Sequence, residues 1–144
     1  MKHLVVFSAL IGGALAMAAA EPEPATYVGH DKVAELFAKG GAVAKSSDFT
    51  ASVASRTAAG QVEVHEKETD IFYITSGEAT FVTGGQMVGG KLSRPAQWLG
   101  TDIQGGVTHT LTKGDIITIP AGTPHWFKEV KTPVFYYMIK VIHP

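Results

Sequence analysis

The sequence predicts an all-β sandwich or barrel preceded by one short helix. From residue 49 onward, eight short segments rich in β-branched and aromatic residues follow one another, separated by glycine pairs or proline–glycine clusters. Many short strands with such turn signals are typical of all-β domains. The chain has 144 residues, enough for one domain with a substantial core. No internal repeat or second domain is apparent.

Residues 1–20 are typical of a secretory signal peptide. A short basic start is followed by an apolar run from Leu4 to about Met17, and small residues fitting an A-x-A cleavage site precede Glu21. The alternative is a membrane anchor, but the run is short for a span of roughly 20 residues. We therefore expect cleavage and a periplasmic or secreted mature protein with no stable membrane span.

Residues 21–48 read as a leader and a short helix. The leader has prolines at positions 22 and 24 and is expected to be extended. A helix is predicted over Asp31–Gly41, with Asp31 as its cap and an apolar stripe that includes Leu36 and Phe37.

Residues 49–144 form the predicted barrel domain. The candidate strands are Phe49–Arg56, Gln61–His65, Asp70–Ser76, Ala79–Thr83, Val107–Thr112, Asp115–Ile119, His125–Glu129 and Val134–Val141. The stretch Gly84–Gly106 shows no regular pattern, and loops of that length are often functional. We expect it to cover the rim of a site, with a substrate entering beneath it.

Composition excludes several kinds of partner and site. The formal net charge is -1, so no basic surplus indicates nucleic acid, and no charge run indicates an interaction tail. The chain has no cysteine, which excludes disulfides, thiolate ligands, cysteine nucleophiles and a lipidated N-terminal cysteine.

Two histidines and two acids occupy informative strand positions. Side chains alternate along Val62–His65, so Glu63 and His65 share one face and the valines share the other. Asp70 begins the next strand, and His125 begins a later one after a proline–glycine turn. The pattern has the character of a metal site built on strands.

On these residues the chain resembles the small single-domain cupins, of the cupin_2 type, over Gln61–Val141. The residues at the spacing of the second cupin motif are Gly114, Pro120, Gly122 and His125. Lys128 and Glu129 stand near the position where an asparagine often closes that motif.

The first cupin motif is matched in part, because several of its positions hold a different residue here. Asp70 stands where the family has glutamate, and Gly77 matches the family glycine. Counting back from Asp70, His65 takes the place of the second histidine and Glu63 that of the first. Gly60 is the nearest match to the opening glycine, but its spacing differs.

The resemblance implies a double-stranded β-helix (jelly-roll) barrel with one metal inside. The carried-over ligands are Glu63, His65, Asp70 and His125, where the family usually has three histidines and a carboxylate. Two imidazoles and two carboxylates suit one divalent Fe, Mn, Ni or Zn ion. If the shorter Asp70 does not reach the metal, the remaining three ligands form a set used for O₂ activation.

The alternative is a barrel without a metal. Glu63 would then pair with a nearby cation such as Lys67 or Arg56. Unpaired buried carboxylates are costly, however, so two acids beside two histidines favour a shared cation.

Other residues are candidates for the pocket. Phe72 and Phe127 share faces with the ligands and are expected to form an apolar wall, and Trp98 is either a lid or an anchor for its loop. One phenol of Tyr136–Tyr137 is expected inside the barrel. His109 lies on the inner face, either as a hydrogen-bonded core or rim histidine or as a catalytic proton-transfer residue.

Two functions follow from the resemblance. The first is a metal-dependent enzyme of the dioxygenase, decarboxylase, isomerase or lyase type acting on a small molecule. The second is a non-catalytic ligand-binding protein of the cell envelope, and a purely structural metal is a weaker third. A homodimer is expected, with Tyr27–Thr50 as a candidate contact.

Overall fold

A computed structural model of the protein describes residues 23–144, so the predicted signal peptide lies outside the described residues. The elements are α1 (His30–Lys39), β1 (Gly41–Lys45), β2 (Phe49–Arg56), β3 (Val62–His65), β4 (Glu68–Thr83), β5 (Gln86–Val88), β6 (Lys91–Arg94), β7 (Gln97–Gly100), β8 (Asp102–Gln104), β9 (Val107–Thr112), β10 (Ile116–Ile119) and β11 (His125–Ile142). The expectation of an all-β fold with a single short helix is confirmed.

Two long strands, β4 and β11, organise the barrel. They pair antiparallel with each other, with register shifts where β11 bends. The first half of β4 and the second half of β11 lie in one sheet with β1, β2 and β10, and their other halves lie in a second sheet with β3, β6, β7 and β9. The functional side chains lie between these two sheets.

The core fills the space between the sheets because alternate side chains of both sheets point inward. Its buried residues are Phe72, Ile74, Ala79, Phe81, Leu111, Ile119, Phe127, Val134 and Tyr136. The core is rich in aromatic rings, and the Phe81 and Phe127 rings meet edge to face at 4.7 Å between centroids.

The expectation of an irregular stretch over Gly84–Gly106 is wrong. The segment contains β5 to β8: β6 pairs with β7, β7 extends the sheet beyond β3, and β5 pairs with β8 in a small separate sheet. The strands are three or four residues long, too short for alternation to be distinguished from a polar loop.

The helix packs on the outside of the barrel. It begins one residue before the predicted start and is followed by Gly40 at its C-cap, whose positive φ of 72° favours glycine. The prediction of Asp31 as the cap is wrong, because the N-cap is Gly29 and Asp31 lies in the first turn. The Phe37 ring contacts the rings of Phe135 and Tyr137. Within residues 23–144, no helix is long and apolar enough to cross a membrane.

Candidate metal centre

Three strands bring the four predicted ligands together. Glu63 and His65 leave the same face of β3, and β3 pairs with β11 so that His125 lies opposite Glu63. Asp70 lies near the start of β4 in the facing sheet. The site is therefore assembled across the barrel from both sheets.

Four side-chain atoms converge inside the barrel. The His65 Nε2 atom lies 3.4 Å from Glu63 Oε2 and 3.5 Å from Asp70 Oδ2. The His125 Nε2 atom lies 3.7 Å from the same Asp70 oxygen. His65, Asp70 and His125 are each at least 95% buried. The candidate ligand atoms of Glu63, His65 and His125 all lie within 4.8 Å of one another.

The protonation of His125 makes this arrangement fit a cation. Its Nδ1 lies 3.1 Å from the carbonyl oxygen of Thr123, an acceptor, so Nδ1 carries the proton. Burial lowers the pKa of His125, which favours the neutral ring. Nε2 then presents a lone pair toward Asp70 Oδ2, and two lone pairs repel unless a cation lies between them. A backbone bond on the other ring nitrogen is also the usual way to orient a metal-binding histidine.

Glu63 is ionised and held in place. The hydrogen bond with His65 is the largest cause of a pKa lowered to about 2; burial opposes it, and the charge of Arg56 assists it. Arg56 Nη2 donates to Oε1 at 3.0 Å, leaving Oε2 facing His65. Arg56 is thus the cation beside Glu63, as the metal-free alternative anticipates, yet one carboxylate oxygen still faces the site.

Lys140 is a site residue that sequence reasoning missed. Its Nζ lies 2.7 Å from Asp70 Oδ1 and 3.0 Å from Glu68 Oε2. Glu68, His65 and Asp70 form a second candidate cluster of metal-ligating groups, but the ammonium of Lys140 already bridges both acids there. Strand alternation along β11 could have revealed Lys140, because Lys140 lies four residues after Tyr136 and therefore shares its face.

The candidate ligands line a cavity of about 320 Å³. Phe72 and Phe127 line it, as predicted, and Tyr136 is the phenol that points inside. The charged and amide side chains of the lining outside the ligand set are Arg56, Gln61, Arg94, Gln97 and Lys140. The cavity therefore combines an apolar wall with several hydrogen-bond donors.

Two predicted site residues do not line this cavity. Trp98 pairs with Val64 on β3, on the opposite face from Glu63, and its Nε1 donates to Glu66 Oε1 at 2.7 Å. His109 lies 2.9 Å from Thr83 Oγ1, through its Nε2, and lines a separate surface groove. The structure therefore places His109 as a hydrogen-bonded rim residue, not beside the candidate ligands.

The chain matches a known family over most of its length. A family model, Cupin_1, described as Cupin, matches residues 20–143. No curated protein sequence matches the chain. The narrower cupin_2 type stays a prediction.

Several solved structures share the fold. Protein BH2720 of Bacillus halodurans has 17% identity, with 84% of this chain and 86% of that chain covered and a TM-score of 0.59. TT1209 of Thermus thermophilus has 19% identity, coverage of 72% and 81%, and a TM-score of 0.50. KdgF of a Halomonas species has 19% identity, coverage of 73% and 80%, and a TM-score of 0.50. At these identities the likeness shows the fold, and the predicted double-stranded β-helix is confirmed.

Proposed function

Because the chain belongs to the cupin family, we propose that it is an exported mononuclear metal-binding cupin that acts on a small organic molecule. One observation carries this proposal. The bare Nε2 of His125 and an oxygen of Asp70 face each other 3.7 Å apart in a buried site, with His65 Nε2 beside them. A divalent cation is the partner that all these donor atoms can share.

The ligands would be Glu63, His65, Asp70 and His125. Two nitrogen and two oxygen donors suit Fe, Mn, Ni or Zn. When bound, such an ion supplies Lewis acidity toward a carbonyl or carboxylate, or a site for O₂.

The remaining residues position and shield the site. Arg56 and Lys140 each hold one oxygen of a ligand carboxylate, so Glu63 and Asp70 keep their other oxygens directed inward. Phe72 and Phe127 restrict water on one side of the cavity. A small molecule entering the cavity therefore meets fixed polar groups beside an apolar wall.

Metal content tests this function. We expect the purified mature protein to hold about one equivalent of a divalent metal, and His65→Ala or His125→Ala to lose it. The control is His109→Ala, which removes a histidine outside the cavity and should leave the metal in place. Protein that stays metal-free after incubation with each candidate ion would refute the proposal.

One observation favours a second function. Both carboxylates of the candidate ligand set already contact a cation, since Arg56 pairs with Glu63 and Lys140 pairs with Asp70. A binding protein of the cell envelope can use such a neutralised cavity without metal. A ligand that raises the melting temperature and is recovered unchanged favours binding, whereas its conversion favours the enzyme.

We also propose export and self-association. Export rests on the pattern of residues 1–20 and is tested by the N-terminal sequence of protein recovered from the periplasm or medium. Self-association has support in Tyr27–Thr50, where Tyr27 is 91% exposed. A molar mass of twice the chain mass in light scattering would support a homodimer, and a single-chain mass would refute it.

A further inference from the structure

The cavity has a charge balance that changes when a divalent ion binds. Its lining contains the acids Glu63 and Asp70 and the bases Arg56, Arg94 and Lys140, and Glu68 behind Lys140 supplies a third acid. Three acids offset three bases, so a divalent cation would leave the cavity with a net positive charge. Such a cavity favours an anionic ligand.

Arg56 is the cation best placed to receive that ligand. It ends β2 and is held on three sides: Nη2 donates to Glu63 at 3.0 Å, Cζ lies 5.4 Å from the Phe127 ring centroid, and Nη1 lies against Gly60. A guanidinium held in this way loses little further freedom when it binds a ligand. Its side chain is 34% exposed, so it reaches both the buried site and the opening.

This guanidinium has more donors than the two side-chain partners it already contacts. A guanidinium has five N–H groups. Among residues 23–144, Glu63 accepts a hydrogen bond from Arg56, and the Tyr136 phenol is a second side-chain hydrogen-bond partner. Burial raises the pKa of Tyr136, so the phenol is neutral at pH 7 and does not compete as an anion.

We propose that Arg56 binds a carboxylate of the ligand, and that this cupin therefore acts on small organic acids. The inference rests on the proposed function and names its substrate class. The planar fork of arginine matches a carboxylate through two parallel hydrogen bonds. An acid held there directs its remaining atoms along Phe127 toward the metal ligands, and the cavity of about 320 Å³ limits it to a small molecule.

Matched acids and amides test this assignment. The probes are benzoate with benzamide and propionate with propionamide, bound to full-length mature protein loaded with Zn²⁺, by calorimetry at fixed salt. We expect each acid to bind at least about tenfold more tightly than its amide, as a charge-assisted fork predicts. Arg56→Met should remove most of this preference, because it lowers acid affinity much more than amide affinity.

The control for charge loss is Lys131→Met. Lys131 pairs with Glu78 on the surface and does not line the cavity. This substitution removes one positive charge, as Arg56→Met does, and should keep the acid preference. An acid preference that survives Arg56→Met, at equal Zn²⁺ content, would overturn the proposal.

Gly60→Ala provides a test that leaves all charges in place. A Cβ at Gly60 would lie 2.9 Å from Arg56 Nη1, so the guanidinium must move. The loop itself is fixed, because Gly60 N donates to the Phe127 carbonyl and Trp126 Nε1 donates to the Gly60 carbonyl. We expect acid affinity to fall several-fold with Zn²⁺ content and melting temperature near wild type. Unchanged acid affinity would contradict the role of Arg56.

The two proposals fail in different ways. Zn²⁺ is measured on every sample alongside acid binding. If the protein takes up no Zn²⁺ but binds acids through Arg56, the metal proposal fails and the ligand class stands. If it holds one Zn²⁺ and acid preference does not depend on Arg56, the ligand class fails and the metal proposal stands.

Discussion

Asp70 connects the metal site to the rest of the barrel. Its Oδ2 faces two histidines, and its Oδ1 accepts a hydrogen bond from Lys140 at 2.7 Å. The side chain is almost fully buried. Because a lone buried carboxylate is costly, the Lys140 ammonium offsets the charge of Asp70 and fixes the oxygen that faces the site.

Lys140→Met is therefore expected to destabilise the metal-free protein by about 3 kcal/mol, the cost of leaving one partner of a buried ion pair unpaired. The free energy of unfolding in urea measures this. Lys140→Met combined with Asp70→Asn should recover much of the loss because the buried Asp70 charge is removed together with its partner. Lys131→Met, at an exposed pair, should leave the urea midpoint near wild type. A single variant as stable as wild type would show that the pair contributes nothing.

The stability of the metal-free protein should fall on acidification below pH 6.5. Burial lowers the pKa of His125 in the folded state, so the unfolded chain takes up a proton that the folded chain does not. The limiting slope for one proton is about 1.4 kcal/mol per pH unit. Glu63, with a pKa of about 2, stays ionised in this range. Urea unfolding with a chelator at pH 7.5 and 5.5 measures the difference.

The control for this pH dependence is His125→Gln, which removes the titrating ring. Its unfolding free energy should change less with pH than that of wild type. Equal slopes would mean that His125 does not carry the effect.

At the level of single residues, sequence reasoning found what depends on short-range spacing. Glu63 and His65 are two residues apart on one strand, so alternation alone places them on one face. Lys140 was not found because its contact with Asp70 depends on the register between β4 and β11, which lie far apart in sequence. The partner of Glu63 was left open for the same reason, since Arg56 comes from another strand.

At the level of elements, the main surprise is the continuity of β4 and β11. The sequence predicts a break at Gly77, since glycine within a strand pattern usually marks a turn or bulge. In the structure the strand continues through Gly77 with a φ of 90°, and the chain of β11 passes closely at Pro133. A glycine required by close approach of a distant segment cannot be distinguished from a turn glycine by local sequence alone.

Gly77→Ala should therefore be severely destabilising. A Cβ would lie 2.1 Å from the Pro133 carbonyl oxygen, and the positive φ adds strain, so we expect a loss above about 3 kcal/mol. Gly114→Ala is the matched comparison: its φ is 95° but nothing lies within 4 Å of the added Cβ, so strain alone costs roughly 1–2 kcal/mol. Thermal unfolding of the two variants and the wild type measures these losses of stability. Equal losses in the two variants would contradict the close approach of Pro133 to Gly77.

At the level of the whole molecule, the barrel and the metal site are distinct sources of stability. The aromatic core lies between the sheets independently of the candidate ion. Chelation should therefore lower the melting temperature without unfolding the protein at room temperature. If the free metal is at a hundredfold excess over its Kd, removing it lowers the free energy of unfolding by about 2.7 kcal/mol. For a domain of this size, the melting temperature then falls by roughly 5–10 °C.

Circular dichroism of the chelated protein measures this outcome. The far-ultraviolet spectrum at 25 °C should match that of the metal-loaded protein. Loss of β structure on chelation at 25 °C would instead assign the metal a structural role.

The most direct test of the account is a Co²⁺ titration of the metal-free mature protein followed by visible absorbance. Ligand-field bands should rise and saturate at about one equivalent, be absent from the double variant His65→Ala with His125→Ala, and persist in His109→Ala. Bands of equal strength in the double variant, or no saturable band in the wild type, would show that these side chains do not hold a metal.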